Sequence, residues 1–201
     1  MSKIKICGLR RIEDIEAVNH ALPDYIGFVF APSKRRVGFK TAAMLKEKLD
    51  TGIKAVGVFV NEDISAISEI VQNGIIDLIQ LHGDEDDVYI ERLKKACACP
   101  VIKAVGVGGT PPVLSKTADY LLFDKASDQR GGTGETFDWR ILANYRGVPY
   151  FLAGGLASEN VREALGQLLP FCVDVSSGVE TDGFKDPEKI NEFVQLVRRM
   201  Q

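Results

Sequence analysis

Residues 55–105 read AVGVFVNEDISAISEIVQNGIIDLIQLHGDEDDVYIERLKKACACPVIKAV. Three short β-rich runs, at 55–60, 78–81 and 101–105, are separated by two stretches of helical character, at 64–72 and 85–96. A strand that recurs after each helix returns to the same edge, so these strands must be parallel. The pattern extends in both directions. Strands are predicted at 3–7 and 25–30 upstream and at 120–124, 150–153 and 172–176 downstream, with helices at 11–20, 41–49, 111–116, 139–144, 159–168 and 187–200. Ser158 before Glu159 reads as a helix N-cap, and Asp186-Pro187 as an N-cap followed by an N1 proline. Eight strands and eight helices share 201 residues, about 25 per unit, enough for a strand, a short helix and two tight loops. The fold class that follows is α/β: a (β/α)8 TIM barrel of minimal size, one domain over residues 1–201.

Composition agrees with a soluble globular chain. Hydrophobic residues make up 45% and charged residues 26%, which excludes a disordered tail, a collagen and a coiled-coil rod. The formal net charge of −3 argues against a nucleic-acid partner, which calls for a basic surplus. No apolar run approaches the ~18 residues of a membrane span, so no membrane partner is expected. Cys7, Cys97, Cys99 and Cys172 are too sparse for a disulfide scaffold, and a reduced, cytoplasmic setting is the default expectation. Cys97-Ala98-Cys99 has no histidine nearby, so it reads as small residues ending a helix before Pro100 rather than as a metal site.

A closed barrel carries its active site at the C-terminal ends of its strands. The rim residues are therefore Cys7-Gly8, Ala31-Pro32-Ser33, Asn61, His82-Gly83, Gly106, Asp124, Gly154-Gly155 and Ser176-Ser177-Gly178. The strongest signal lies after strands seven and eight, where Gly154-Gly155 and Ser176-Ser177-Gly178 form two adjacent loops of small residues. Such loops let backbone N–H groups approach an oxyanion, and barrel enzymes often hold phosphate there. The bland alternative is that the glycines only turn the chain.

Period-two alternation puts Lys5 and Cys7 on the inward face of the first strand and Ile4 and Ile6 on the other. Cys7 is then either a small buried hydrophobe or, if nearby positive charge favours its thiolate, a base or nucleophile. Leu122 and Asp124 point inward on strand six. A carboxylate ending an apolar strand is costly to bury ionised, which suits a general acid near neutral pH, or it simply caps a loop. Residues 125–136, with Arg130-Gly131-Gly132-Thr133-Gly134, are either a lid or a plain connection. Ser33-Lys34-Arg35-Arg36 places three cations at the rim, a match for an anionic substrate group or an ordinary basic turn. Gln80 and His82 share an inward face and read as polar lining. Lys5 and Asp174 face inward on strands that closure makes neighbours, and an unpaired buried charge is costly, so the two should pair below the site.

Together these motifs resemble one family. Lys5-Ile6-Cys7-Gly8, Gly27-Phe28-Val29-Phe30, Ser33-x-Arg35-x-Val37, Gly57-Val58-Phe59-Val60 and Gln80-Leu81-His82-Gly83 are similar to the motifs of phosphoribosylanthranilate isomerase. So are Gly131-Gly132-Thr133-Gly134-x-Thr136-Phe137-Asp138-Trp139, Leu152-Ala153-Gly154-Gly155-Leu156 and Asp174-Val175-Ser176-Ser177-Gly178-Val179-Glu180, in order along nearly the whole chain. The resemblance implies an isomerase of tryptophan biosynthesis, without metal or organic cofactor. It would catalyse the Amadori rearrangement of N-(5′-phosphoribosyl)anthranilate to 1-(2-carboxyphenylamino)-1-deoxyribulose 5-phosphate. It implies Cys7 as general base, Asp124 as general acid, and Arg35, or its neighbour Arg36, on the anthranilate carboxylate. Gln80, His82, Gly154, Gly155, Ser176, Ser177 and Gly178 would complete the substrate site. The family has both monomers and dimers, so a homodimer stays open.

Three alternative readings fit the residues less well. An indole-glycerol-phosphate synthase would need catalytic lysines at strand ends, but Lys103 sits on the face opposite to Ile102 and Ala104. A metal-dependent epimerase would need more histidines than His20 and His82. A non-catalytic phosphosugar-binding barrel would not need both Cys7 and Asp124.

Overall fold

The computed structural model describes residues 2–108, 114–126 and 136–200. Its strands are β1 (Lys3–Cys7), β2 (Tyr25–Val29), β3 (Lys54–Phe59), β4 (Leu78–Leu81), β5 (Val101–Val107), β6 (Tyr120–Lys125), β7 (Tyr150–Leu152) and β8 (Cys172–Val175). They close into one parallel barrel in sequence order, with β8 returning to β1 through pairs such as Lys5 with Asp174. Outside it lie α1 (Ile12–Ala21), α2 (Phe39–Glu47), α3 (Ile64–Gln72), α4 (Asp87–Ala96), α5 (Val161–Gln167) and α6 (Pro187–Arg199).

The alternation is less strict than predicted. Residues 114–116 are not helical, and the rest of the helix expected at 111–116 lies outside the described residues, as do the glycines of the 125–136 loop. The segment expected as a helix at 139–144 is a single 3-10 turn, Trp139–Leu142, because Gly147 and Pro149 follow too closely for a longer helix. Ser158 does not cap α5. The Asn160 side chain accepts from Ala157 N at 2.9 Å and donates to Gly155 O at 2.8 Å, which holds residues 157–160 in a turn and starts the helix at Val161. Asp186 caps α6 as expected, accepting from Glu188 N at 3.0 Å and Lys189 N at 3.3 Å, with Pro187 in the first turn. An unforeseen hairpin follows β8, formed by β9 (Glu180–Thr181) and β10 (Phe184–Lys185).

Each strand divides its residues between two layers. Ile4, Ile6, Leu81, Val101, Phe123 and Val173 pack outward against the helices. Tyr25, Val56, Leu78, Ile102, Leu122, Phe151 and Cys172 fill the barrel's lower interior. Phe151 sits against Tyr25, Tyr120 and Phe171 at centroid distances of 5.8, 5.7 and 5.6 Å, so aromatic rings close the bottom. One inward step higher, β4, β6 and β8 carry Gln80, Asp124 and Asp174, and β1 adds Lys5. The interior thus changes from apolar to polar half-way up, and the polar half opens at the strands' C-terminal ends.

Buried thiols and phenols make the barrel sensitive to alkali. Burial pushes the thiol of Cys172 well up and the phenol of Tyr25 up, and with smaller charge contributions it brings Cys99 and Tyr89 to about 12. These groups are neutral when protonated. The unfolded chain releases their protons near the ordinary values of 9.0 and 10.0, while the folded chain retains them. They contribute no difference below those values and a growing penalty above them, about 1.4 kcal/mol per pH unit for each group. The urea midpoint should therefore fall steeply from about pH 9 to about pH 11, and less steeply in Cys172→Ala. An unchanged midpoint over that range would refute this reading.

Candidate active site

The site begins with β1. Lys5 is fully buried and its Nζ lies 2.8 Å from Asp174 Oδ2. The predicted pair is therefore present, just beneath the rim. Burial lowers the Lys5 pKa, but Asp174 and Cys7 more than offset that, and it ends above its ordinary value. Cys7 lies one inward step higher. Burial pushes its thiol up and Asp174 adds to this, while Lys5 and Lys185 pull it back, leaving it raised. The register pairs Cys7 with Gly27 on β2. A Cβ at Gly27 would stand 2.6 Å from Cys7 Sγ and 3.2 Å from its Cα, so only glycine leaves room for the thiol there.

Asp124 ends the inward row of β6 above Leu122. Its Oδ1 accepts from Lys125 N at 2.8 Å, and its Oδ2 stands 3.6 Å from His82 Nε2. His82 is held from β4 by Gln80, whose Nε2 is 3.0 Å from His82 Nδ1. Gln80 is 2% exposed, and its Oε1 has no partner among the described residues. The charges of Lys5, Asp124 and His82 all act on Asp174, and Asp174 acts on Cys7, so these polar groups share one basin. Lys103 points away from it, as its alternation implied. Its Nζ reaches Gly83 O at 2.6 Å and Glu85 Oε2 at 3.0 Å, bracing the loop after β4 from outside.

The two small-residue loops lie together, joined by a bridge between Ala157 and Gly178. Gly154 has φ +86°, and a Cβ there would approach Lys125 N at 2.9 Å and Asp124 Oδ1 at 3.1 Å. Gly155 and Ser177 keep backbone N–H groups without a partner among the described residues. Ser176 instead turns its hydroxyl to Cys7 O at 3.0 Å.

The rim cations separate. Arg35 is buried and its side chain lies over Gly8. Its Nε and Nη2 donate to Glu180 Oε1 and Oε2 at 2.7 and 2.8 Å, a bidentate pair. Arg36 is exposed, with its N–H on Ser33 O at 3.1 Å, and is not brought to the other candidates. Lys34 is exposed too. Sequence reasoning missed Glu180 and Lys185, which join the cluster through the hairpin. Their signal was Asp182-Gly183, a hairpin turn dipeptide, and both residues have positive φ, +53° and +77°. Elsewhere, Cys97 ends α4 with its Sγ 3.3 Å from Leu93 O, and Cys99 Sγ lies 3.1 Å from Asp77 O. Among the described residues no His, Cys, Asp and Glu group has the geometry to hold a metal ion, and no helix is long and apolar enough to cross a membrane.

A family model described as N-(5′-phosphoribosyl)anthranilate (PRA) isomerase matches residues 4–196. The N-(5′-phosphoribosyl)anthranilate isomerase of Endomicrobium trichonymphae is 50% identical over 201 residues, covering 100% of both chains. The crystal structure of the Thermus thermophilus phosphoribosyl anthranilate isomerase superposes with a TM-score of 0.86 at 31% identity, over 99% of this chain and 100% of that one. Another isomerase of this name was solved with reduced 1-(o-carboxyphenylamino)-1-deoxyribulose 5-phosphate, and it matches with a TM-score of 0.83 at 32% identity over 99% of this chain and 100% of that one. With the fold, the rim motifs and the family match in agreement along the chain, this protein belongs to the N-(5′-phosphoribosyl)anthranilate isomerase family.

Proposed function

We propose that the upper half of this barrel isomerises N-(5′-phosphoribosyl)anthranilate by acid–base catalysis, with Asp124 as the acid and Cys7 as the base. Asp124 gives its proton to the furanose ring oxygen, and the ring opens to a Schiff base. Cys7, as thiolate, then removes the C2′ proton, and the enolamine that results tautomerises to the ketone of 1-(2-carboxyphenylamino)-1-deoxyribulose 5-phosphate. The two groups must stand on opposite sides of the sugar, and β1 and β6 are well separated around the closed ring of eight strands. The observation that carries this reading is the inward placement of both groups at their strands' C-terminal ends, Cys7 against Gly27 one step above the Lys5–Asp174 pair and Asp124 3.6 Å from His82.

Gly154, Gly155, Ser176, Ser177 and Gly178 would receive the phosphate, so that binding energy far from the reacting atoms orients the sugar. Gln80 and His82 would line the ribose pocket. A cytosolic location accords with four free cysteines. Purified protein mixed with substrate should quench the anthranilate fluorescence and yield the ribulose product. Persistent fluorescence with intact protein would overturn the reading.

Arg35 would take the anthranilate carboxylate, since it is the buried guanidinium of the rim, lying over Gly8 next to Cys7 and held there by Glu180. Arg35→Met should then raise KM roughly 10- to 100-fold, the loss of a charged hydrogen-bonded contact. Arg36→Met should have the smaller effect. The reverse order in steady-state kinetics would move the carboxylate contact to Arg36.

A further inference from the structure

The hairpin after β8 brings a second buried ammonium toward the base. Lys185 Nζ donates to Ser176 O at 2.8 Å and to Glu180 Oε1 at 2.8 Å, and it lies 3.4 Å from Ser176 Oγ. Three acceptors for three N–H bonds fit a protonated amine. The Ser176 hydroxyl in turn bonds the carbonyl of Cys7. The hairpin itself is fixed. Lys185 is the register partner of Glu180, Phe184 stacks on the guanidinium groups of Arg10 and Arg11 at 4.6 and 4.3 Å, and Arg10 Nη2 holds Gly183 O at 2.9 Å.

We propose that Lys185 is a positioning residue for Cys7: tied to the base through Ser176, its ammonium joins Lys5 in favouring the thiolate, and Glu180 limits how much of that charge the thiol feels. This inference rests on Cys7 acting as the base. The charged groups around the thiol are Lys5 on its own strand, Asp174 on β8, Arg35 from the loop after β2, and Lys185 with Glu180 from the hairpin. Asp124 and His82 act in turn on Asp174. Lys5 is matched one to one by Asp174, whereas Glu180 is shared between Arg35 and Lys185, so positive charge is in surplus on the hairpin side. In a buried setting such charges act over several ångströms with little screening. Lys185 favours the thiolate, and Arg35 responds to Cys7 in turn; burial lowers the Lys185 pKa, while Glu180 and Cys7 pull it back up toward the ammonium.

The test is the pH dependence of Cys7 alkylation by iodoacetamide in the full chain, read by mass spectrometry on the Cys7 peptide so that the other cysteines do not contribute. Lys185→Met should move the midpoint upward by about one unit or more, a tenfold fall in thiolate at fixed pH, and lower kcat more than it raises KM. Lys185→Arg should restore the midpoint, and Glu180→Gln should move it downward. Opposite shifts from the two charge removals are not expected of a packing role. If Lys185→Met fails to fold by circular dichroism, Glu180→Gln decides, and a midpoint that stays or rises refutes the proposal. An unmoved midpoint in folded Lys185→Met also refutes it, as does a shift in Lys185→Arg as large as in Lys185→Met. A moved midpoint with unchanged kcat supports the hold of Lys185 on the thiol and removes Cys7 from the role of base. A lowered kcat with an unmoved midpoint refutes the role of Lys185 and leaves that of Cys7 standing.

Discussion

Asp124→Asn and Cys7→Ser are each expected to slow turnover by ~10² or more, the usual range for losing a general acid or base. Asparagine is nearly isosteric with aspartate, and its side-chain oxygen can still accept from Lys125 N, so the end of β6 keeps its shape. What it lacks is a carboxyl proton to give the ring oxygen. Serine keeps the small volume that Gly27 accommodates, but its hydroxyl does not ionise in the range where a thiol does. Both losses should fall on kcat rather than KM, because the loops proposed to hold the phosphate and Arg35 are untouched. The thiol also predicts a pH profile. Burial raises its pKa above 9.0, so the thiolate form, and with it kcat/KM, should increase as pH climbs from neutral into the alkaline range. Fluorescence-monitored kinetics on both variants and on the parent chain check this. A near-parental rate in either variant removes that residue from its role, and a flat alkaline limb removes the thiol.

How much of this was legible depended on whether the determining contacts were local. The bounds of β1 and β4 follow from runs such as Lys3–Cys7, because alternation along a strand is a local property of the chain. The inward placement of Lys5, Cys7, Gln80, His82, Asp124 and Asp174 follows from the same rule. Closure makes β1 and β8 neighbours, so the Lys5–Asp174 pair could be inferred across 169 positions. The Arg35–Glu180 pair, 145 positions apart, could not. Its existence depends on a hairpin two residues deep, whose turn is written in Asp182-Gly183 but which is held by Arg10 and Arg11 from the loop after β1. At Ser158 two local signals competed, and the Asn160 carboxamide won by bonding back to both Gly155 O and Ala157 N. The 3-10 turn at Trp139–Leu142 shows the same limit, since helical spacing alone does not say how soon breakers will end a helix.

Lys5→Met should cost about 3–5 kcal/mol of stability, the penalty for stranding one partner of a buried ion pair. That is a large share of the 5–15 kcal/mol (roughly) that holds an ordinary domain together. Methionine fills much of the volume of lysine, so the loss comes from charge rather than from a cavity. Asp174 Oδ1 already has no partner among the described residues, and removing Lys5 strands Oδ2 as well. The carboxylate must then stay charged in a buried setting or take up a proton, and either outcome works against the folded state. Lys5→Met combined with Asp174→Leu should recover much of the loss, because neither charge remains. Urea unfolding of the parent, the two single variants and the double variant gives the coupling directly. The double variant should nevertheless stay slow, since Cys7 would lose the ammonium on its own strand. This would separate what the pair does for the fold from what it does for the base. A single-variant loss below ~1 kcal/mol would show that the pair is not a buried ionic contact of the kind argued here, and the electrostatic account of Cys7 would lose its nearest support.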